Sequence, residues 1–166
     1  MTGPVWLDVA RRYLGLREIK GPQHNPEILK MWKRMGAPFA DDETAWCGGF
    51  VGGVLVEAGL KAVAGGAMAR NWLKLPVKID RPAVGAVVVF WRGSPSGASG
   101  HVGFVVGKDA RGNLAVLGGN QGDKVSIAFF PPSRVLGYRW PSIAPSPERF
   151  NLPVLKSDGT LSTNEA

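Results

Sequence analysis

The sequence has few of the side chains on which metal and disulfide chemistry depend. Its 166 residues contain one cysteine, Cys47, and two histidines, His24 and His101. A single cysteine excludes an internal disulfide, and no cysteine–histidine cluster has zinc-binding spacing, so we expect no metal and no cofactor. No apolar run is long enough to span a bilayer, and the N-terminus lacks a Sec-type signal. We therefore expect a protein made in the cytoplasm and not inserted in a membrane.

The chain also lacks a run of basic residues, although its net charge is +7 and its pI is near 9.9. This charge predicts attraction to a polyanion such as nucleic acid, anionic lipid or cell wall. Because the basic residues are spread along the chain, we expect no nucleic-acid partner. The length suits one domain, which we place at residues 1–145 and expect to be a monomer. The proline-rich and polar remainder, 146–166, predicts a loosely ordered tail.

Helical periodicity dominates the first third of the chain, and strand-like periodicity follows from residue 83. Apolar spacing predicts helices at residues 4–16 and 26–35, then a third from Cys47 to a stop at Gly59. Glycine-rich turns separate five predicted strands at residues 84–91, 101–107, 113–117, 125–130 and 135–140. Helices followed by an antiparallel meander indicate an α+β domain.

Cys47 begins the third predicted helix, where the dipole and unpaired N–H groups favour a thiolate and can receive an oxyanion. The alternative is an inert thiol in a buried helix. Gly48, Gly49, Gly52 and Gly53 lower the helix propensity of this segment. Their helical spacing predicts a flat face against which another part of the backbone lies closely.

A thiolate nucleophile needs a base, and the base needs a group that orients its ring. His101 opens a predicted strand, and Asn120 follows the next strand, so hairpin pairing brings them close. Asn120 then orients His101, or else it is simply a turn asparagine among glycines. We expect His24 to be a surface or structural residue.

An ordered set of short motifs extends these observations. The set includes Trp46-Cys-Gly-Gly-Phe-Val, Gly85-Ala-Val-Val-Val-Phe, Gly100-His-Val-Gly-Phe-Val-Val-Gly107, Leu117-Gly-Gly-Asn-Gln-Gly-Asp123 and Leu136-Gly-Tyr-Arg139. It resembles the CHAP and NlpC-like cysteine peptidase superfamily over about residues 4–140, and within it small phage and prophage proteins that degrade peptidoglycan. Some CHAP enzymes have a glutamate two positions before the asparagine, where this chain has Gly118.

The resemblance implies a papain-like α+β fold in which the cysteine helix packs on a five-stranded antiparallel sheet. It implies Cys47 as nucleophile, His101 as general base and acid, and Asn120 as the residue that orients His101. Substrate contacts are predicted for Glu18, Trp46 and Gln121, while surface charge is the alternative for Glu18.

The implied function is an endolysin-like peptidoglycan hydrolase, either an endopeptidase or an N-acetylmuramoyl-L-alanine amidase. Such a protein reaches the wall through a holin or a delivery machine. Two alternatives stay open at this point. One is the same fold acting as a non-hydrolytic acyltransferase, and the other is a non-catalytic module that binds the wall or a phage tail.

Overall fold

The computed structural model describes residues 3–17, 26–34 and 46–162, and these residues form the expected α+β fold. The helices are α1 (Val5–Arg11), α2 (Pro26–Arg34) and α3 (Cys47–Glu57). The strands are β1 (Val77–Ile79), β2 (Val87–Trp91), β3 (Gly100–Lys108), β4 (Leu114–Gly118), β5 (Ser126–Phe130) and β6 (Val135–Trp140). Short 3₁₀ helices occur at Ala69–Lys74, Pro132–Arg134 and Pro147–Phe150.

The strands form one antiparallel sheet with the order β1-β6-β2-β3-β4-β5, so the predicted count of five is wrong by one. The additional strand, β1, has only three residues between two prolines, too few for an alternating pattern to indicate it in the sequence. The predicted meander holds from β2 to β5. The chain then returns to the other side, where β6 pairs with β2 and β1.

The glycines of α3 allow the close approach that their spacing predicts. A Cβ atom at Gly48 would overlap the carbonyl oxygen of Gly66, and one at Gly53 would lie 2.8 Å from the Met31 side chain in α2. Every residue from Cys47 to Leu55 is buried. The tertiary contacts of α3 therefore compensate for its low helix propensity.

α3 packs on the sheet mainly through aromatic and aliphatic side chains. The Phe50 ring meets Phe104 of β3 edge-on, with 6.2 Å between ring centroids. β2 and β3 are valine-rich, and β2, β3 and β4 are almost entirely buried. This packing places the first turn of α3 next to β3. Among the described residues, no helix is long and apolar enough to cross a membrane.

Within residues 146–162, the chain bonds to the backbone of the sheet. Its backbone N–H and C=O groups bond to Lys108 through Pro153 and Leu155, at 2.9 and 2.7 Å. Near its described end, the Ser162 N–H donates to the Phe129 carbonyl of β5 at 2.8 Å. These bonds attach residues 153–162 to two strands, while the domain boundary at residue 145 stays a prediction.

Candidate active site

Cys47 is the first residue of α3, and its side chain is only 4% exposed. The preceding residue, Trp46, adopts a non-helical conformation, and its carbonyl oxygen accepts the N–H of Phe50 at 2.9 Å. The N–H groups of the first turn lack intrahelical partners, as at the start of every helix. The sulfur therefore lies at the positive end of a buried helix.

Burial raises the pKa of the Cys47 thiol above its ordinary value, because a thiolate is poorly solvated there. Backbone N–H groups of Val102 and Gly48 and the positive charge of Arg92 oppose this increase without cancelling it. The thiolate expected from the helix start is thus outweighed by desolvation. The resting thiol keeps its proton, and a base has to remove it.

The raised pKa predicts how stability depends on pH. Below about pH 8.5 the thiol is neutral in both the folded and the unfolded chain, so Cys47 adds no pH dependence. Above that pH the unfolded chain releases the proton and the folded chain retains it. The free energy of unfolding of the wild type should then fall relative to Cys47→Ala, by at most about 1.4 kcal/mol per pH unit. Urea unfolding of both proteins between pH 7 and 10 measures this difference, and parallel curves would contradict it.

His101 is fully buried in β3, directly before Val102, whose N–H interacts with the Cys47 sulfur. Cys47 therefore lies beside the strand segment that carries the histidine. The Nε2 atom of His101 is 2.9 Å from Oε1 of Gln121. This hydrogen bond identifies Gln121 as the polar partner of the histidine ring.

The orientation of the Gln121 amide follows from its other hydrogen bonds. Its Nε2 donates to the carbonyl oxygens of Ser126 and Val116, at 2.8 and 3.1 Å. Two carbonyl acceptors require the amide NH₂ on that side, so Oε1 faces His101 as an acceptor. The Nε2 atom of His101 must then donate, and in the neutral ring Nδ1 carries the lone pair that can take a proton.

Asn120, predicted to orient His101, does not form this hydrogen bond. Its backbone is left-handed, with φ of 60°, a conformation that asparagine tolerates better than most residues. The chain turns at Asn120, and this turn directs the side chain of the next residue, Gln121, towards His101. The turn-asparagine alternative describes Asn120, and Gln121, predicted as a substrate contact, instead contacts His101.

Gly118 explains why a glutamine at 121 can reach the histidine. A Cβ atom at Gly118 would overlap Oε1 of Gln121 and would lie 3.4 Å from Nε2 of His101. A larger side chain at 118, such as the glutamate of some CHAP enzymes, would occupy this space. The hydrogen bond between Gln121 and His101 therefore requires a glycine at position 118.

Aromatic rings fix the plane of the histidine. The Phe130 ring is stacked with His101 at a centroid distance of 5.3 Å and an angle of 16°. Phe90 stacks on Phe130 at 4.5 Å and also faces His101, its cross-strand neighbour in β2. The sequence indicated no role for these rings, because Phe130 comes from a distant strand. With Gln121 they limit rotation of the imidazole.

The remaining residues singled out from the sequence are Trp46, Glu18 and His24. Trp46 is fully buried, and its ring would lie 2.8 Å from a Cβ at Gly119, so it is a core residue and not a substrate contact. Glu18 and His24 lie outside the described residues. Among residues 3–17, 26–34 and 46–162, no cluster of three His, Cys, Asp or Glu side chains could hold a metal ion.

A buried cysteine at a helix start, beside a strand that carries an oriented histidine, defines the papain-like α+β class of cysteine enzymes. Residues 39–120 match the family model of the CHAP domain. This match is consistent with a member of the CHAP and cysteine peptidase superfamily. No curated protein matches the chain. The matched segment contains Cys47 and His101 and ends one residue before Gln121.

The CHAP match indicates the general type of activity. CHAP domains are generally cysteine- and histidine-dependent amidases or peptidases, and they act on peptidoglycan. The family match thus supports a peptidoglycan hydrolase or amidase type of function.

Proposed function

We propose that the protein hydrolyses an amide or peptide bond of the peptidoglycan stem peptide, with Cys47 as nucleophile and His101 as general base and acid. The observation that carries this proposal is the hydrogen-bonded chain from the Val116 and Ser126 carbonyls through Gln121 to His101. It leaves Nδ1 as the basic nitrogen on the strand beside Cys47. An inert buried thiol needs no such arrangement.

The reaction begins when Nδ1 of His101 takes the Cys47 proton and the sulfur attacks the carbonyl carbon of the scissile amide. An S–C bond forms, and the carbonyl oxygen becomes an oxyanion that the N–H groups at the start of α3 stabilise. The protonated Nδ1 then gives its proton to the leaving nitrogen as the C–N bond breaks. Throughout these transfers Nε2 keeps its proton and its hydrogen bond to Gln121.

Water resolves the thioester in the second half of the reaction. His101 takes a proton from water as the water oxygen attacks the thioester carbon. The C–S bond then breaks to give a carboxylic acid product, and His101 returns the proton to the departing sulfur, which restores the thiol. The net charge of +7 favours accumulation at an anionic wall. The endolysin role, and release by a holin or a delivery machine, stay predictions.

A digest of purified peptidoglycan tests the proposal. Wild type and Cys47→Ala are incubated with Gram-negative and Gram-positive walls, and mass spectrometry identifies the fragments. Fragments with new amine and carboxyl ends that only wild type produces would support hydrolysis and would identify the bond. New amide or ester linkages would favour the acyltransferase alternative. Unchanged walls that bind both proteins would favour a non-catalytic module.

The pair Gln121→Ala and Asn120→Ala separates the two possible partners of His101. Gln121→Ala should lower kcat by about 10- to 100-fold, part of the contribution of a positioned acid–base group. Asn120→Ala should affect activity less and act through the stability of the turn. Wall-lysis rates across pH measure both, because loss of the Gln121 bond should also move the pH profile of kcat/KM. Equal losses with unchanged profiles would refute a specific role for Gln121.

A further inference from the structure

The loop that joins β2 to β3 leads directly into His101 and contains little that would fix its own shape. Residues 93–99 of this loop are all exposed, and five of the seven are glycine or serine. The bonds inside the loop are short-range, such as that from the Gly97 N–H to the Ser94 carbonyl at 3.3 Å. Because exposed segments rich in glycine and serine are flexible, the start of β3 needs an anchor from elsewhere in the fold.

Arg70 supplies this anchor from the 3₁₀ helix Ala69–Lys74. Its guanidinium donates to three carbonyl oxygens of the loop, each at 2.8 Å, those of Ser94, Pro95 and Ser99. Its Cγ atom would lie 3.2 Å from a Cβ at Gly100, the residue directly before His101. A guanidinium holds its donors in a rigid planar fork, so three simultaneous bonds fix the orientation of the loop as well as its distance.

The segment that carries Arg70 also contacts the helix of the proposed nucleophile. The carbonyl oxygen of Gly66 lies against Gly48, the residue after Cys47, where an added Cβ would overlap it. The indole of Trp72 donates to the same carbonyl at 2.9 Å, and Trp72 is fully buried in the same 3₁₀ helix as Arg70. The segment therefore joins the start of α3 to the start of β3, the two elements that carry the proposed nucleophile and base.

We propose that Arg70 is a positioning residue, which fixes the β2–β3 loop to the segment packed on α3 and so sets the position of His101 relative to Cys47. This inference rests on the proposed function, since it assumes that the two residues react as a pair. Gln121 and Phe130 orient the imidazole, whereas Arg70 holds the strand end from which the imidazole projects. Arg70 should therefore affect the chemical step and not the binding of substrate.

Kinetics of Arg70→Gln test this role. Without the forked bonds the loop loses its fixed position, and kcat for solubilised peptidoglycan should fall by about 10- to 100-fold, the cost of a small misplacement of reacting groups. KM should change little, because the guanidinium is bonded to the loop. Arg70→Lys keeps the charge and the aliphatic stem but replaces the fork with one ammonium, so it should lose less. It also serves as the test if Arg70→Gln does not fold.

Nuclear magnetic resonance of the histidines tests the positioning without turnover. The chain has two imidazoles, and comparison with His24→Ala assigns their ¹⁵N signals. In the wild type, the hydrogen bond to Gln121 requires one neutral tautomer of His101, protonated at Nε2. Arg70→Gln should shift the His101 signals towards a mixture of both neutral tautomers, because the ring is then held less firmly against Gln121.

Arg139→Gln is the matched control. The Nε atom of Arg139 donates to the Leu73 carbonyl at 3.0 Å, so this arginine also bonds to the 3₁₀ helix, but from β6 and not from the loop before His101. Thermal melts should show lower stability in both variants, whereas the control should keep the wild-type kcat and imidazole signals. An equal fall in kcat in both variants, or unchanged imidazole signals in folded Arg70→Gln, would overturn the inference. If the wild type hydrolyses no wall, the proposed function fails, and the imidazole signals alone decide the inference.

Discussion

Cys47→Ala is expected to reduce peptidoglycan hydrolysis by about four orders of magnitude or more, as removal of a nucleophile does in other covalent enzymes. The reason is that no thioester can form without the sulfur. The fold should persist, because alanine fits the space of the buried thiol and suits a helix. The loss is measured as the rate at which soluble muropeptides are released at several protein concentrations, with the muropeptides quantified by mass spectrometry.

Two further variants make this experiment specific. Cys47→Ser keeps the size of the side chain and replaces the thiol with a far weaker nucleophile at neutral pH, so it should be nearly as inactive as Cys47→Ala. His101→Ala should also be inactive, and the double variant should lose little more than either single one, because the two residues act as a unit. Circular dichroism and thermal melts confirm that each variant folds. Wild-type turnover in folded Cys47→Ala would exclude Cys47 as nucleophile.

Gly48→Ala is expected to destabilise the protein by at least about 3 kcal/mol, more than most single substitutions. Helix propensity alone predicts the opposite sign, a gain of about 1 kcal/mol from glycine to alanine. The added Cβ would overlap the Gly66 carbonyl oxygen and would lie 3.1 Å from that of Ala67. The Gly66 carbonyl cannot retreat easily, since it accepts a hydrogen bond from the indole of Trp72 at 2.9 Å.

Thermal and urea unfolding measure the Gly48 effect, for which a melting temperature about 6–12 °C lower is expected. Gly112→Ala serves as the control. Gly112 has a φ of 85° in a turn with no atom within 4 Å of an added Cβ, so alanine should cost only about 1–2 kcal/mol of backbone strain there. A smaller loss at Gly48 than at Gly112 would show that the segment around Gly66 moves away.

The prediction of α3 was accurate because its evidence is local. Gly59 follows the end of the helix at Glu57, and its φ of 85° is the left-handed conformation that glycine allows. The strands from β2 onwards were predicted for the same reason, from valine-rich runs between glycine turns. β1 and the place of β6 beside β2 were missed, because pairing between distant segments leaves little trace in short strands.

The site was predicted in its residue types and only partly in its contacts. Both Asn120 and Gln121 were recognised from the motif, but the hydrogen bond to His101 comes from Gln121 and not from Asn120. The distinction depends on the left-handed backbone at Asn120 and on the space above Gly118, which no residue pattern specifies. The helix start favours a thiolate at Cys47, whereas burial raises the pKa of its thiol, because burial is a property of the packed chain and the helix start is local.

The sequence by itself determined the α+β class, the helix that begins at Cys47 and the strand that begins near His101. These follow from periodicity, turn residues and a specific order of motifs, all of which act over a few residues. Only the tertiary structure decided that Gln121 hydrogen-bonds the histidine and that burial raises the pKa of the Cys47 thiol. Hydrogen bonds, desolvation and charge act between atoms that are close in space, and the fold alone brings these residues together.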